Sequence, residues 1–126
     1  LPETPLIAVV DDNEAMRDAL LNLLQVEGLS AEGYASAGAF LNDFSSRAFA
    51  CLVTDVQMPG ISGLELQCCL RTMGSDIPVI FVTSAEDAAT MVQARAEGAA
   101  AYLTKPLATT EFVRALRVAL GVPGRC

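Results

Sequence analysis

Short apolar runs alternate with amphipathic stretches five times along this chain. Leu6–Val10, about Leu29–Tyr34, Ala50–Thr54, Ile77–Val82 and about Ala100–Leu103 have the length and the bounding turn residues of strands. Between and after them, roughly Asn13–Glu27, Ser36–Phe44, a stretch opening at Ser62, Glu86–Glu97 and Thr110–Leu120 carry helical spacing. In the first helix Met16, Leu20, Leu23 and Leu24 share a face, with Arg17, Asp18, Asn22 and Gln25 opposite. Phe112, Val113, Leu116 and Leu120 mark the inward face of the last. Gly28 and Gly98 are natural helix stops, Ser62 with Glu65 forms a capping box, and Pro59-Gly60 demands a tight turn. This alternation predicts an α/β fold, a single five-stranded parallel sheet covered by helices on both faces. The second strand is the least hydrophobic and ends in no chemically useful residue, which places it at a sheet edge.

Composition narrows the function. A length of 126 residues is one domain with room for a core. The net charge of -7 argues against nucleic-acid binding by this chain, because phosphate backbones attract basic patches. No apolar run reaches the length of a membrane span and no signal-peptide plan opens the chain, so it reads as soluble and cytoplasmic. The start at Leu1-Pro2-Glu3-Thr4 without Met reads as a piece of a longer protein or as processing, and 121–126 as the start of a linker after a 5–120 core. Histidine is absent, which excludes a His triad, a His metal site and a phosphohistidine donor. Cys51, Cys68, Cys69 and Cys126 have no zinc-type spacing and read as reduced thiols that pack as small hydrophobes.

Four of the apolar runs end in polar residues with a shared chemistry. Asp11-Asp12 follow the first, Asp55 the third, Thr83 the fourth and Lys105-Pro106 the fifth. Lys105 is the single lysine; the other seven of the eight basic residues are arginine. In a parallel sheet these ends lie side by side, at the rim where open α/β sheets bind ligands. Phosphoryl transfer asks for an in-line nucleophile, a divalent cation and positive groups around the phosphoryl oxygens. Asp55 suits the nucleophile, Asp11 and Asp12 suit Mg²⁺, Thr83 suits a hydrogen bond to a phosphoryl oxygen and Lys105 a point charge beside another. Each residue alone has an ordinary explanation: Asp12 as a helix cap, Thr83 as a common strand-end residue, Lys105 as a solvated surface lysine. Their joint placement favours the chemical reading.

Val10-Asp11-Asp12-Asn13, the run Val53–Leu66, Pro78–Thr83 and Tyr102-Leu103-Thr104-Lys105-Pro106 resemble the receiver domain of bacterial two-component response regulators, in particular the nitrogen-fixation transcription-factor type. The resemblance covers nearly all of residues 1–126 and implies the flavodoxin-like strand order 2-1-3-4-5. It implies that Asp55 accepts a phosphoryl group from a phosphohistidine on a sensor histidine kinase or histidine phosphotransfer domain. The metal would be Mg²⁺, with Mn²⁺ able to substitute, held by Asp11, Asp12, Asp55 and the backbone carbonyl of Gln57. Thr83 and Tyr102 would form the switch, with Lys105 beside the phosphate and a cis peptide at Lys105-Pro106. The surface from the fourth helix to the fifth would signal by homodimerisation or to a C-terminal DNA-binding domain. One departure is visible: Ser84-Ala85 stand where that subgroup often has glycine and histidine.

A haloacid-dehalogenase-like phosphatase also uses a strand-end Asp, Mg²⁺ and a lysine. It wants two acids separated by one residue and a cap insertion, whereas Asp11 and Asp12 are adjacent and the chain has no room for a cap. A stand-alone receiver stays open at this level. So does a pseudo-receiver, although such domains usually lose one of the acids, the Thr or the Lys, and all are present here.

Overall fold

The computed structural model describes residues 5–84 and 88–121. Its elements run β1 (Leu6–Val10), α1 (Glu14–Val26), β2 (Ser30–Tyr34), α2 (Ala37–Phe44), β3 (Cys51–Thr54), α3 (Gly63–Thr72), β4 (Val79–Thr83), α4 (Ala88–Ala96), β5 (Ala101–Thr104) and α5 (Thr109–Ala119). All strand pairs are parallel, in the order β2-β1-β3-β4-β5, with β2 at one edge. The boundaries move by a residue or two from the sequence expectation, most visibly at β4. Ile77 and Pro78 lead into that strand, and Thr83 is its last residue. The expected helix start at Glu86, Ala85 beside it, the residues Leu1–Thr4, most of the expected linker (122–126) and Cys126 lie outside the described residues.

Alternation along the strands divides the core in two. Ile7, Val9, Cys51, Val53, Ile80, Val82 and Leu103 point to the face covered by α1 and α5, where they meet Leu20, Leu24, Phe112 and Leu116. Ala8, Val10, Leu52, Val79, Phe81 and Tyr102 point to the other, against Phe40 of α2, Leu66 and Leu70 of α3 and Ala94 of α4. Because both faces are covered, the central strands β1, β3 and β4 read as continuous apolar runs. β2 is partly exposed along most of its length, as an edge strand can be.

Local chemistry sets the helix starts. Asn13 caps α1, its side chain accepting from the Met16 N–H at 2.9 Å. The cap is therefore Asn13 and not Asp12, which frees the Asp12 carboxylate for the rim. Ser36 caps α2 by accepting from Ala39. At α3 the capping box is complete: Ser62 accepts from the Glu65 N–H, and Glu65 accepts from the Ser62 N–H. Arg71, near the end of α3, donates to the carbonyls of Ser75, Ile77 and Gly98, tying that helix to the entry of β4 and the turn before β5. The cysteines behave differently from the expectation. Among the described cysteines only Cys51 packs in the core, where burial pushes its thiol up to about 12. Cys68 and Cys69 are exposed, because α3 turns Gly63, Leu66, Gln67 and Leu70 inward instead.

One glycine couples this scaffold to the rim. The start of α3 lies so close to the strand-end loop that a Cβ on Gly63 would collide with the backbone carbonyl oxygen of Asp55. The Gly63 N–H donates to Val56 at 2.8 Å, and the Thr54 hydroxyl donates to that same Asp55 carbonyl at 3.0 Å. Gly63→Ala should therefore destabilise the fold by about 1–3 kcal/mol, as overpacking against rigid backbone does. Urea denaturation of the variant checks it, and an unchanged midpoint refutes the close-approach argument.

Candidate functional site: an acidic rim at the ends of β1, β3 and β5

Asp11 and Asp12 follow β1, Asp55 follows β3 and Lys105 follows β5, and the sheet brings all four together. One carboxylate oxygen from each of Asp11, Asp12 and Asp55 lies within 4.8 Å of the others. The Lys105 ammonium is 3.3 Å from Asp55 Oδ2 and 3.7 Å from Asp11 Oδ2. The other oxygen of each buried acid is held by backbone: Asp55 Oδ1 accepts from the Gln57 N–H at 3.3 Å, and Asp11 Oδ1 from the Asn13 N–H at 2.9 Å. Backbone bonds from Asp11 to Tyr34 and from Asp55 to Val10 continue the sheet ladder past the strand ends, which sets the depth of the two acids.

Burial differs sharply among the three carboxylates. Asp11 is 1% exposed and Asp55 9%, whereas Asp12 faces solvent. Burial raises the Asp11 pKa above the ordinary carboxylate value. The Asn13 N–H and Lys105 oppose that rise, and the charges of Asp55 and Asp12 add to it. Asp11 Oδ2 is buried with no hydrogen-bond partner. A buried carboxylate oxygen in that condition, facing two more carboxylates, fits a small hard cation with oxygen ligands such as Mg²⁺.

Thr83 and Tyr102 lie deeper. Thr83 is fully buried at the end of β4, and its carbonyl accepts from the Lys105 N–H at 2.9 Å. Tyr102 pairs in register with Phe81, their ring centroids 5.9 Å apart, and is 8% exposed. Its ring is thus already inside in this structure. Gln57 contributes its N–H to Asp55, with an exposed side chain. The Lys105-Pro106 peptide is cis. Two residues bearing on the site were missed by sequence reasoning. Gly63 has no role in the sequence reading beyond its place in the Val53–Leu66 run, and Arg17 only one on a polar helix face. Arg17 in fact donates to the Asp11 carbonyl at 2.9 Å. A glycine directly after an N-cap was the available signal for the first; nothing local marked the second.

The family model of the response regulator receiver domain matches residues 7–117. The chain belongs to that family. It is 41% identical over 114 residues to the response regulator protein TodT of Pseudomonas putida, covering 90% of this chain and 50% of that one. It is 40% identical over 121 residues to the transcriptional regulatory protein FixJ of Azorhizobium caulinodans, covering 96% and 57%. The crystal structure of FixJ-N superposes with a TM-score of 0.88 at 30% identity, covering 99% of this chain and all of that one. The response regulator StyR gives 0.88 at 35%, covering 95% and 61%. This receiver domain therefore spans about half the length of the curated relatives it matches. The phosphatase alternative falls with this assignment. No helix among the described residues is long and apolar enough to cross a membrane.

The raised Asp11 pKa has a defined consequence for stability without metal. The native state keeps that proton to higher pH than the unfolded chain does, so Asp11 costs stability as pH rises from about 4 through its folded value. Asp11→Asn keeps an oxygen for the Asn13 N–H and leaves Lys105 paired with Asp55. In EDTA the variant should be at least as stable as the parent near neutrality, with the gap closing on acidification. Denaturation across that pH range checks it; a gap that widens on acidification refutes it.

Proposed function

We propose that this receiver domain is a Mg²⁺-dependent phosphoacceptor that takes a phosphoryl group on Asp55 from a phosphohistidine of a sensor histidine kinase or phosphotransfer domain. The convergence of three carboxylates within 4.8 Å, with Lys105 3.3 Å from the central one, is the observation that supports this reading most. Asp55 Oδ attacks phosphorus in line and the P–N bond breaks with its electron pair passing to the donor imidazole; with the other ring nitrogen of the donor already protonated, histidine leaves neutral and the acyl phosphate stays on Asp55. Asp11, Asp12, Asp55 and the Gln57 carbonyl would hold the ion. When bound, Mg²⁺ (or Mn²⁺) neutralises phosphoryl oxygens and relieves the repulsion among the acids. Lys105, now paired with Asp55, would pass to a phosphoryl oxygen, and Thr83 would bond another.

The readout follows from the packing. A Thr83 drawn to the phosphate changes the space beside Phe81 and Tyr102, and the phosphoryl group favours one of two arrangements of that buried pair. The α4–β5–α5 surface, with Val92 exposed on α4, would carry the signal. Homodimerisation on activation ranks ahead of binding to an attached DNA-binding output domain, and the names of the relatives support a role in transcriptional control. Residues 5–120 would form the receiver core and 121–126 begin a linker.

Incubation with a small acyl phosphate and Mg²⁺ should add one phosphate to the intact mass. An adduct that survives in Asp55→Asn, or forms fully in EDTA, overturns the assignment, as does no adduct at all. Separately, Mg²⁺ should stabilise the native state by about 2.7 kcal/mol at a free concentration ~100 times its Kd. That increment should shrink strongly in Asp12→Asn. Thermal melts with and without the ion decide it, and a full shift in the variant places the ion elsewhere.

A further inference from the structure

Asp11 is pinned on nearly every polar atom. Its N–H donates to Tyr34 at 3.1 Å, its carbonyl accepts from Arg17 Nη1 at 2.9 Å, and its Oδ1 accepts from Asn13 at 2.9 Å. Only Oδ2, buried and without a hydrogen bond, is left to face the rim. The carbonyl held by Arg17 belongs to the peptide that joins Asp11 to Asp12. That peptide is planar, so holding its oxygen sets the plane from which both carboxylates depart.

The fold makes room for this contact at an identifiable place. The Arg17 stem crosses β2 at Gly33, where a Cβ would come 3.2 Å from Arg17 Cδ, 3.3 Å from its Cγ and 2.9 Å from Leu21 Cδ1. Glycine weakens a strand interior and often marks a close approach. Here two groups approach, the tip of Leu21 and the stem of the arginine that reaches to the acid pair.

We propose that Arg17 is a positioning residue of the phosphoacceptor site, holding the Asp11–Asp12 peptide so that both carboxylates are preset for the divalent cation, with Gly33 as the cradle for its stem. This rests on the reading of the rim as a Mg²⁺-dependent phosphoacceptor. The sign of the effect separates positioning from charge. Removing a cation beside three acids would, through Coulomb attraction alone, tighten Mg²⁺ binding. Loss of a group that orients metal ligands loosens it, commonly by about 10–100-fold.

The test is Mg²⁺ affinity by calorimetry on the whole chain, alongside the amide NMR shifts of Asp12 and Asn13 and a melt in EDTA. Arg17→Met keeps the stem and removes the donors; it should weaken Mg²⁺ binding by about tenfold, the low end of that range. Arg17→Lys, with the charge but a shorter reach, should fall between Met and the parent. Gly33→Ala, which displaces the stem while keeping the guanidinium, should also weaken binding. Parental or tighter Mg²⁺ binding in Arg17→Met overturns the proposal, whatever its melting temperature. If that variant does not fold, parental affinity in both Arg17→Lys and Gly33→Ala overturns it instead. A parent chain that binds no Mg²⁺ overturns the phosphoacceptor reading itself and this inference with it.

Discussion

Three carboxylates whose oxygens lie within 4.8 Å of one another are an electrostatic load that the rest of the structure is arranged to carry. Like charges that close repel one another, and burial of Asp11 and Asp55 removes the water that would screen them. Protein groups meet part of the load. Lys105 supplies one positive charge, and backbone N–H groups of Asn13 and Gln57 each take one carboxylate oxygen. One buried oxygen of Asp11 is still without a hydrogen bond. The receiver is thereby built with a deficit of positive charge at the point where a divalent cation and a phosphoryl transfer would meet it.

The scaffold holds this arrangement by rigidity at short range. The central strands are buried on both faces, so Asp11 and Asp55 leave the sheet from positions that cannot drift without disturbing two cores. On the far side of Asp55, α3 begins within touching distance of its carbonyl, and the space is kept by having no side chain at Gly63. Arg71 fixes the opposite end of α3 to the entry of β4 and the turn before β5. The rim is therefore clamped through β3 and α3 together. The element on the β4–β5 side is different in kind. α4 buries only Ala94 among its described residues, with Met91 partly buried against the same core, so it has fewer buried residues than α3.

Element order was legible because it depends on periodicity and local punctuation. The five alternations, the capping box at Ser62 and Glu65 and the placement of β2 at an edge all come from residues near one another in the chain. The site was legible for a related reason. In a parallel sheet every strand ends on the same side, so a polar residue closing an apolar run is already assigned to the rim. Where competing local options existed, the reading was less sharp. Both Asp12 and Asn13 have side chains fit to cap α1, and only the path of the backbone selects Asn13. Cys68 and Cys69 are as apolar as Cys51, but the face that α3 turns inward is set by its neighbours and leaves them in solvent.

By itself, then, the sequence determined which elements form, in what order, and which side chains stand at the strand ends. These are properties of short stretches, in which hydrophobic spacing, caps and turns act within a few residues. Only the tertiary structure decided which carboxylate oxygen faces Lys105, that Tyr102 is buried against Phe81, and that Gly33 and Gly63 stand where another group must pass. It alone joined Arg17 to the peptide between the two acids. Such facts arise from separate segments meeting in space, at distances of a few ångströms that no local pattern encodes.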